Sequence, residues 1–429
     1  MATDALDVLL YDQHVATVRP TSNRTPHEVN FSWDDDFTPG PVRLSESFAA
    51  IPGVTPNTSR VSRYLGGYGP EGNQRRAMTR ERGINDNDLF GILREFGGSI
   101  GGALTFRLPN ERPHYSPSYD ELSDSDLNRL LKKSVEEHDL GQREDSRSMI
   151  PGFQPKLLLA RFGDTWLQPH GRAHSTHIVK PQLKSRPRGI LDEFYSHELT
   201  RAMGLSTFRS EITSLGTAKY LAIERFDRSV NGETITLVHQ EDAAQALGLN
   251  WLGDSAKVQN ADRRHDPNRP SAYAIAEIVA SLNGEKPLVQ WLRQLTYRVL
   301  VGDNDGHTKN VGILHLPGVD TLTELYDAVP NLYQEGRIDW TMALAIDRQF
   351  DHRRISVERL INEAPGWGAL GNTVIEATIT DTLLDFENAL NTVPVPPGLS
   401  DGLTSGLAWN LSRLQAGLEI SEPRRRTRD

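Results

Sequence analysis

The residues best placed to do chemistry lie in one stretch, Val301-Gly302-Asp303-Asn304-Asp305-Gly306-His307-Thr308-Lys309-Asn310-Val311-Gly312-Ile313. A long apolar run ends at Leu300-Val301, and Gly302 and Gly306 then allow a tight backbone path that turns several polar side chains the same way. Phosphoryl transfer needs such a loop. It requires a carboxylate to accept the proton of the attacking hydroxyl and, close by, an oxygen ligand for Mg²⁺. Asp305 followed five residues later by Asn310 meets that demand as D-x(4)-N. A calcium-binding loop does not fit, because it would want Gly and Glu where Thr308 and Leu314 stand.

A second carboxylate strengthens the reading. Asp327 follows Leu325-Tyr326 at the expected end of an apolar, strand-like segment that begins near Leu322. A second metal-binding Asp at a strand end, shortly after the catalytic loop, is the arrangement of kinases. Lys180, which closes the alternating segment Thr176-His177-Ile178-Val179, is the candidate cation for nucleotide phosphates. The helix expected from Ile190 offers Glu193 to orient it, with Glu198 as the alternative. Leu221 to Arg228 stands where a hinge would meet adenine. Taken singly, each residue has a plainer reading: a surface turn, a helix cap, a snorkelling lysine. His170, His174 and His177 could in principle ligate zinc, but in a β-arm His177 would oppose the other two.

These groups need elements to hold them. The first hundred residues read as β-rich: Leu6–Leu10, His14–Val18 and the alternating Val29–Trp33, followed by a helix over Leu89–Phe96 capped near Asp88. Pro109 to about Arg147 is polar and proline-bearing, a linker candidate with an amphipathic helix over Asp124–Val135. Short strands and one helix, about Ile190–Met203, fill 153–228. Helices dominate from Glu241, notably Ser271–Leu282 and Leu288–Leu300. The fold class is therefore α+β. Expected boundaries are 1–108 for an N-terminal β-rich part, 109–228 for an N-lobe, 229–415 for a helical C-lobe, and 416–429 for a basic tail. The tail, Arg424 to Arg428, reads more simply as a solvated end than as a nucleic-acid contact.

Composition narrows the classes. The 429 residues include no cysteine, which removes disulfide scaffolds, iron–sulfur clusters and thiol catalysis. Net charge is −10, from 47 Lys+Arg against 57 Asp+Glu, which argues against non-specific nucleic-acid binding by the whole chain. No apolar run is long enough to span a bilayer, and Asp4 and Asp7 stand where a signal peptide would be basic. A cytoplasmic location, without a membrane, is the expectation.

In this order, the pieces resemble the HipA family of serine/threonine kinases, the toxin halves of HipBA-type toxin–antitoxin modules. The resemblance runs from the N-terminal part to about residue 365. It is carried by Tyr68-Gly69-Pro70-Glu71-Gly72 with Arg75 and Arg76, Gly101-Gly102-Ala103-Leu104, Ile150-Pro151-Gly152-Phe153-Gln154-Pro155-Lys156, Thr176 to Lys180, Glu224-Arg225-Phe226-Asp227-Arg228, and Leu325-Tyr326-Asp327. The string Asp305-Gly306-His307-Thr308-Lys309-Asn310 is the most specific of these.

The resemblance implies a two-lobed, protein-kinase-like fold with an extra N-terminal β-rich subdomain and a mostly helical C-terminal lobe. It implies ATP and Mg²⁺ as cofactors, Asp305 as catalytic base, Asn310 and Asp327 as metal ligands, and Lys180 on the phosphates. His307 belongs to the same nucleotide-contacting string. Glu224 and Phe226 would border the adenine, with Asp227 near the ribose. The loop Met149–Lys156, with Gly152, Phe153, Gln154 and Lys156, would cover the nucleotide. The implied partners are a small helix-turn-helix antitoxin of HipB type, operator DNA through that antitoxin, and a protein substrate such as an aminoacyl-tRNA synthetase. Other readings are a largely non-catalytic corepressor and a small-molecule kinase of related fold. One departure stands out: well-known members carry an inhibitory, autophosphorylated serine where this chain has Met149. Ser148, or Ser146 two residues earlier, would have to replace it.

Overall fold

Val29, Phe31 and Trp33 point inward and Asn30 and Ser32 outward, so the alternation read from the sequence does make a half-buried strand. In the computed structural model of the chain, which describes residues 4–22, 24–51, 53–109, 116–138, 147–216, 218–263, 266–334 and 339–422, that strand edges a four-stranded antiparallel sheet. Its order is Val29–Trp33, Gln13–Pro20, Leu6–Leu10, Leu104–Arg107. The opening hundred residues are less β-rich than expected, because helices Thr58–Gly67 and Gly72–Glu81 join Leu89–Phe96. In the first of these, Val61, Tyr64 and Leu65 have helical spacing and are buried. The second is rich in arginine, and no apolar stripe in the sequence announces it. Ser146 and the basic tail lie outside the described residues.

The chain forms two compact units. The first comprises residues 1–181, 208–254 and 313–320, and the second 182–207, 255–312 and 321–429. Besides the N-terminal sheet, the first unit holds a six-stranded antiparallel sheet in the order Ser118–Glu121, Thr165–His170, Leu157–Phe162, His177–Pro181, Ala218–Glu224, Ser210–Leu215. The helix Asp124–Glu137, capped by Ser123, buries Leu127, Leu130 and Leu131 against Leu157, Leu159, Val179, Tyr220 and Ala222 of that sheet. Much of the expected linker is thus a packed strand and helix.

The second unit is mostly helical. Helix Glu285–Val301 runs through it with Trp291, Leu292, Leu295, Tyr297 and Val299 fully buried, and helices Ala272–Asn283, Asn372–Thr392 and Leu403–Gln415 pack around it. The expected helices near 190–203, 271–282 and 288–300 appear as Gly189–Ala202, Ala272–Asn283 and Glu285–Val301. No helix among the described residues is long and apolar enough to cross a membrane.

Residues 313–320 return to the first unit beside strand His239–Asp242. There the buried ring of His315 lies between two carboxylates, with Nδ1 2.7 Å from Asp320 and Nε2 2.9 Å from Glu241. Burial disfavours a charged ring, but the two acidic partners raise His315 to about 9, so it is an imidazolium at neutral pH. Glu241 also accepts from Ser45 Oγ and Glu46 N, which ties the 43–47 segment to the hairpin.

His315→Gln should cost about 3 kcal/mol of stability near pH 6, because it removes the buried cation that Glu241 and Asp320 share. A pKa raised on folding stabilises fully below the unfolded value and loses that effect as pH rises through the folded value. The gap between parent and variant in urea unfolding should therefore be widest at pH 6 and shrink by pH 9.5; a gap independent of pH would refute the charged-ring assignment.

Candidate active site

In the second unit, helix Glu285–Val301 ends at Gly302, whose φ of 69° only glycine adopts without strain. One turn earlier, Arg298 points into the interior with its side chain 1% exposed. Its guanidinium donates to the Asp303 carboxylate, to the Asn310 carbonyl at 2.6 Å and to the Tyr326 carbonyl at 3.2 Å. One buried cation thus fixes the start of the loop, its end, and the residue before Asp327. Gly306 has to be glycine here, since a Cβ would come 2.7 Å from Arg298 Cδ.

Asp303 Oδ1 in turn accepts from the backbone N–H of Asp305 at 3.1 Å and from Asn331 Nδ2 at 3.3 Å. Burial pushes the Asp303 carboxyl up, to about 7, against the pull of Arg298. The far side of the loop is held by Thr308 Oγ1 donating to the Ala256 carbonyl and by Tyr326 Oη donating to the Lys309 carbonyl at 2.9 Å. Within this frame the Asp305 side chain is 72% exposed, with His307 Nε2 3.8 Å away.

Asn310 donates its amide to the Asp305 carbonyl at 3.1 Å, which aims Oδ1 as its remaining acceptor. Asp327 sits at φ 50°, a left-handed conformation uncommon outside glycine, in an irregular segment beyond strand Val319–Leu322 rather than at a strand end. Leu325 N donating to the Leu205 carbonyl at 2.8 Å keeps that segment extended. A carboxylate and an amide oxygen held this way, with a second carboxylate on the same loop, are the hard donors that Mg²⁺ takes. The donor set fits the ion.

In the first unit, strand pairing sets Leu157 opposite Val179, so Lys156, one residue before the strand, lies opposite Lys180 and shares its face. Both lysines are buried, at 5% and 8% exposure. Gly152, at φ 122°, leaves room for the Lys156 ammonium, which would stand 2.6 Å from a Cβ there. Two cations and a glycine cradle fit a polyphosphate. Gln154 is exposed, and the Phe153 ring lies over Gly72, where a Cβ would come within 2.2 Å of it. Ser148 and Met149 are both buried, clamped by Ser99 N donating to the Arg147 carbonyl at 2.8 Å and Met149 N donating to the Ser99 carbonyl at 3.1 Å. Met149 joins the core that contains Phe90, Ile100 and Leu158.

Within the expected hinge, Asp227 is buried. Its carboxylate accepts from Arg225 Nε at 2.9 Å and Nη2 at 2.8 Å, from Arg228 Nη1 at 2.9 Å and from Gly102 N at 2.8 Å. Burial works to raise this carboxyl, but Arg225 and Arg228 hold it well below the usual range. Three of these donors meet Oδ2 and one meets Oδ1, so Asp227 locks the Gly102 turn to the end of strand Ala218–Glu224. Glu224 is exposed and accepts from Arg209 N at 3.0 Å, while Phe226 is half-buried. Glu193 belongs to the second unit, buried beside His197 at 3.8 Å, and Glu198 makes a surface pair with Arg201. His170, His174 and His177 are engaged separately, with Asp120, Ser99 and Thr176, and form no ligand triad. The one cluster of metal-ligating type among the described residues is Glu46, His315 and Asp320.

With this geometry in place, comparison with known proteins decides the family. A family model described as the HipA-like C-terminal domain matches residues 148–390, and one described as the HipA N-terminal domain matches residues 6–107. The chain belongs to the HipA family. The serine/threonine-protein kinase toxin HipA of Shewanella oneidensis is 26% identical over 339 residues, covering 75% of this chain and 74% of that protein. The putative kinase Y4mE of Sinorhizobium fredii is 27% identical over 307 residues, covering 69% and 70%. Among solved structures, HipA in the Shewanella oneidensis complex with HipB and operator DNA superposes with a TM-score of 0.78 at 22% identity, over 96% of both chains. The HipA fold, mixed helix and sheet, is thereby shared over nearly the full length.

The residues that organise the HipA-type loop here, Arg298 and Asp303, were not picked out by spacing. The available signal was a single arginine on the buried side of Leu295-Thr296-Tyr297-Arg298-Val299-Leu300, a charge where only a paired one is tolerated. Arg298→Lys keeps the charge but replaces the planar fork, whose two ends reach acceptors on separate segments, with a single compact ammonium. It should lose about 3 kcal/mol in urea unfolding; a loss under about 0.5 kcal/mol would show that the three contacts are dispensable.

Proposed function

We propose that this chain is an ATP- and Mg²⁺-dependent serine/threonine protein kinase, the toxin of a HipBA-type module. The observation that supports it most is the buried Arg298, which holds the segments carrying Asp305, Asn310 and Asp327 in one frame. Bound Mg²⁺–ATP supplies the transferable phosphoryl group and the neutralisation of its charge. Asp305, exposed at the loop surface, accepts the proton of the substrate hydroxyl at its carboxylate. Asn310 and Asp327 present metal-directed oxygens, while Lys180 and Lys156 of the first unit supply cations for the phosphates. Glu224 and Phe226, at the end of their strand, border the base. Asp227 acts one step back by fixing that strand end.

The substrate is a protein hydroxyl, and the resemblance to the HipA family favours an aminoacyl-tRNA synthetase. The restraining partner is a small helix-turn-helix antitoxin, through which the complex reaches operator DNA; the fold shared with the HipA of a HipA–HipB–DNA complex supports this assignment. Self-inhibition, if it uses the nucleotide loop, falls on Ser148. Since Ser148 is buried beneath the Ser99 bridge, its phosphorylation requires the loop to leave its seat, and Met149 must then leave the core.

Asp305→Asn keeps size but removes the proton acceptor, so phosphotransfer should fall by about 10²–10⁴ with nucleotide affinity retained. Asp327→Ala should instead weaken Mg²⁺–ATP binding, because it deletes a ligand. Calorimetric titration beside a labelled-ATP assay separates the two, and equal behaviour of both variants would remove the assigned roles. Mass-spectrometric mapping after incubation with Mg²⁺–ATP checks the last point: modification should include Ser148, and sites confined to other residues would leave control to the antitoxin alone.

A further inference from the structure

The segment after Asp327, from Ala328 to Gln334, contains no serine or threonine, so phosphorylation of a hydroxyl of that kind cannot order it. Something else holds it. Leu332 N donates to the Gly302 carbonyl at 3.2 Å, and Asn331 reaches Asp303 at 3.3 Å. The next residue, Tyr333, is seated between two helices. On one side its Cε2 lies 3.2 Å from where a Cβ of Gly302 would be. On the other, a Cβ on Gly406 would come 2.1 Å from Cε1 and 2.6 Å from Cζ, so the ring occupies the space that glycine leaves.

Gly406 stands inside the 13-residue helix Leu403–Gln415, where glycine costs about 0.5–1 kcal/mol relative to alanine. The ring supplies the reason for a glycine there. Tyr333 Oη accepts from Asn410 Nδ2 at 2.8 Å, and the same amide donates to the Leu300 carbonyl at 3.0 Å, at the end of the helix that carries Arg298. Burial raises the Tyr333 hydroxyl to about 12, so it remains a neutral phenol.

We infer that Tyr333 is a positioning residue for phosphotransfer, and that helix Leu403–Gln415 acts through it on the catalytic loop. The inference rests on the kinase reading above. Asp303 Oδ1 receives both Asn331 and the N–H of Asp305. Unseating the ring pulls Leu332 and Asn331 off Gly302 and Asp303, and so loosens the carboxylate on which the backbone of the catalytic base depends. The latch lies on a helix beyond the residues 148–390 matched by the C-terminal family model.

The test is a double-mutant cycle on the full chain with Gly406→Ala, Tyr333→Ala and both together. It reads the self-phosphorylation rate at saturating labelled Mg²⁺–ATP, nucleotide affinity and thermal midpoint. A displacement of about 1 Å at a reacting group costs roughly 10²-fold, so each single variant should slow transfer to that order with nucleotide affinity within about twofold of the parent. Because both act through one contact, the double variant should be no slower than Tyr333→Ala. Tyr333→Phe keeps the ring in its slot and should retain at least about a third of the parent rate. Losses that multiply in the double variant, or near-parent rates in Tyr333→Ala, overturn the latch. If Gly406→Ala does not fold, Tyr333→Ala and the double variant, which carry no clash, decide the question by the same criteria. A parent protein that transfers no phosphate defeats the kinase reading instead.

Discussion

A guanidinium buried at 1% exposure is tolerable only if its charge is paired, and that constraint organises the second unit. Arg298 can enter the interior because the Asp303 carboxylate accepts from its Nη1 and the carbonyls of Asn310 and Tyr326 accept from its Nη2, which leaves only Nε buried without a hydrogen-bond partner. The converse also holds. Asp303, wholly buried, and two carbonyls from segments far apart in sequence find their partner in this one side chain. Removing any member leaves the others desolvated and unpaired, which is a stronger constraint than the net worth of the pair. The loop between them is short and glycine-bearing, so it has little freedom once both ends are fixed.

The functional consequence is a division of labour. Under the proposed function, buried groups such as Arg298 and Asp303 set positions, and Asp305 faces the substrate. Arg298, Asp303, Thr308 and Tyr326 are engaged with protein, while Asp305 is left at the surface. The first unit follows the same logic at Asp227, where two arginines and a backbone N–H hold a buried carboxylate in place. Lys156 and Lys180 show how register does the equivalent work in a sheet, bringing two cations from distant sequence onto one face.

Much of this was legible beforehand, and unevenly. The apolar helices near 190, 272 and 285 declared themselves by periodicity, and the alternating Val29–Trp33 by its period of two. Asp305, Asn310 and Asp327 stand out in the sequence because phosphotransfer chemistry fixes the types and approximate spacing of its residues. Arg298, Asp303 and Tyr333 were missed because their roles arise from tertiary contacts that no local pattern encodes. Helix Gly72–Glu81 was hidden for a related reason: its sequence is polar, with Gln74 and Met78 buried by what packs on it.

The central claim is that this arrangement transfers phosphate to protein hydroxyls with the help of a divalent ion. The most direct measurement incubates the purified chain with γ-labelled ATP and a cell extract, with Mg²⁺ or with excess chelator, and hydrolyses the labelled proteins to their amino acids. The account predicts phosphoserine or phosphothreonine that appears only with Mg²⁺ and the added chain. Absence of such label, or label that persists undiminished in chelator, would contradict it.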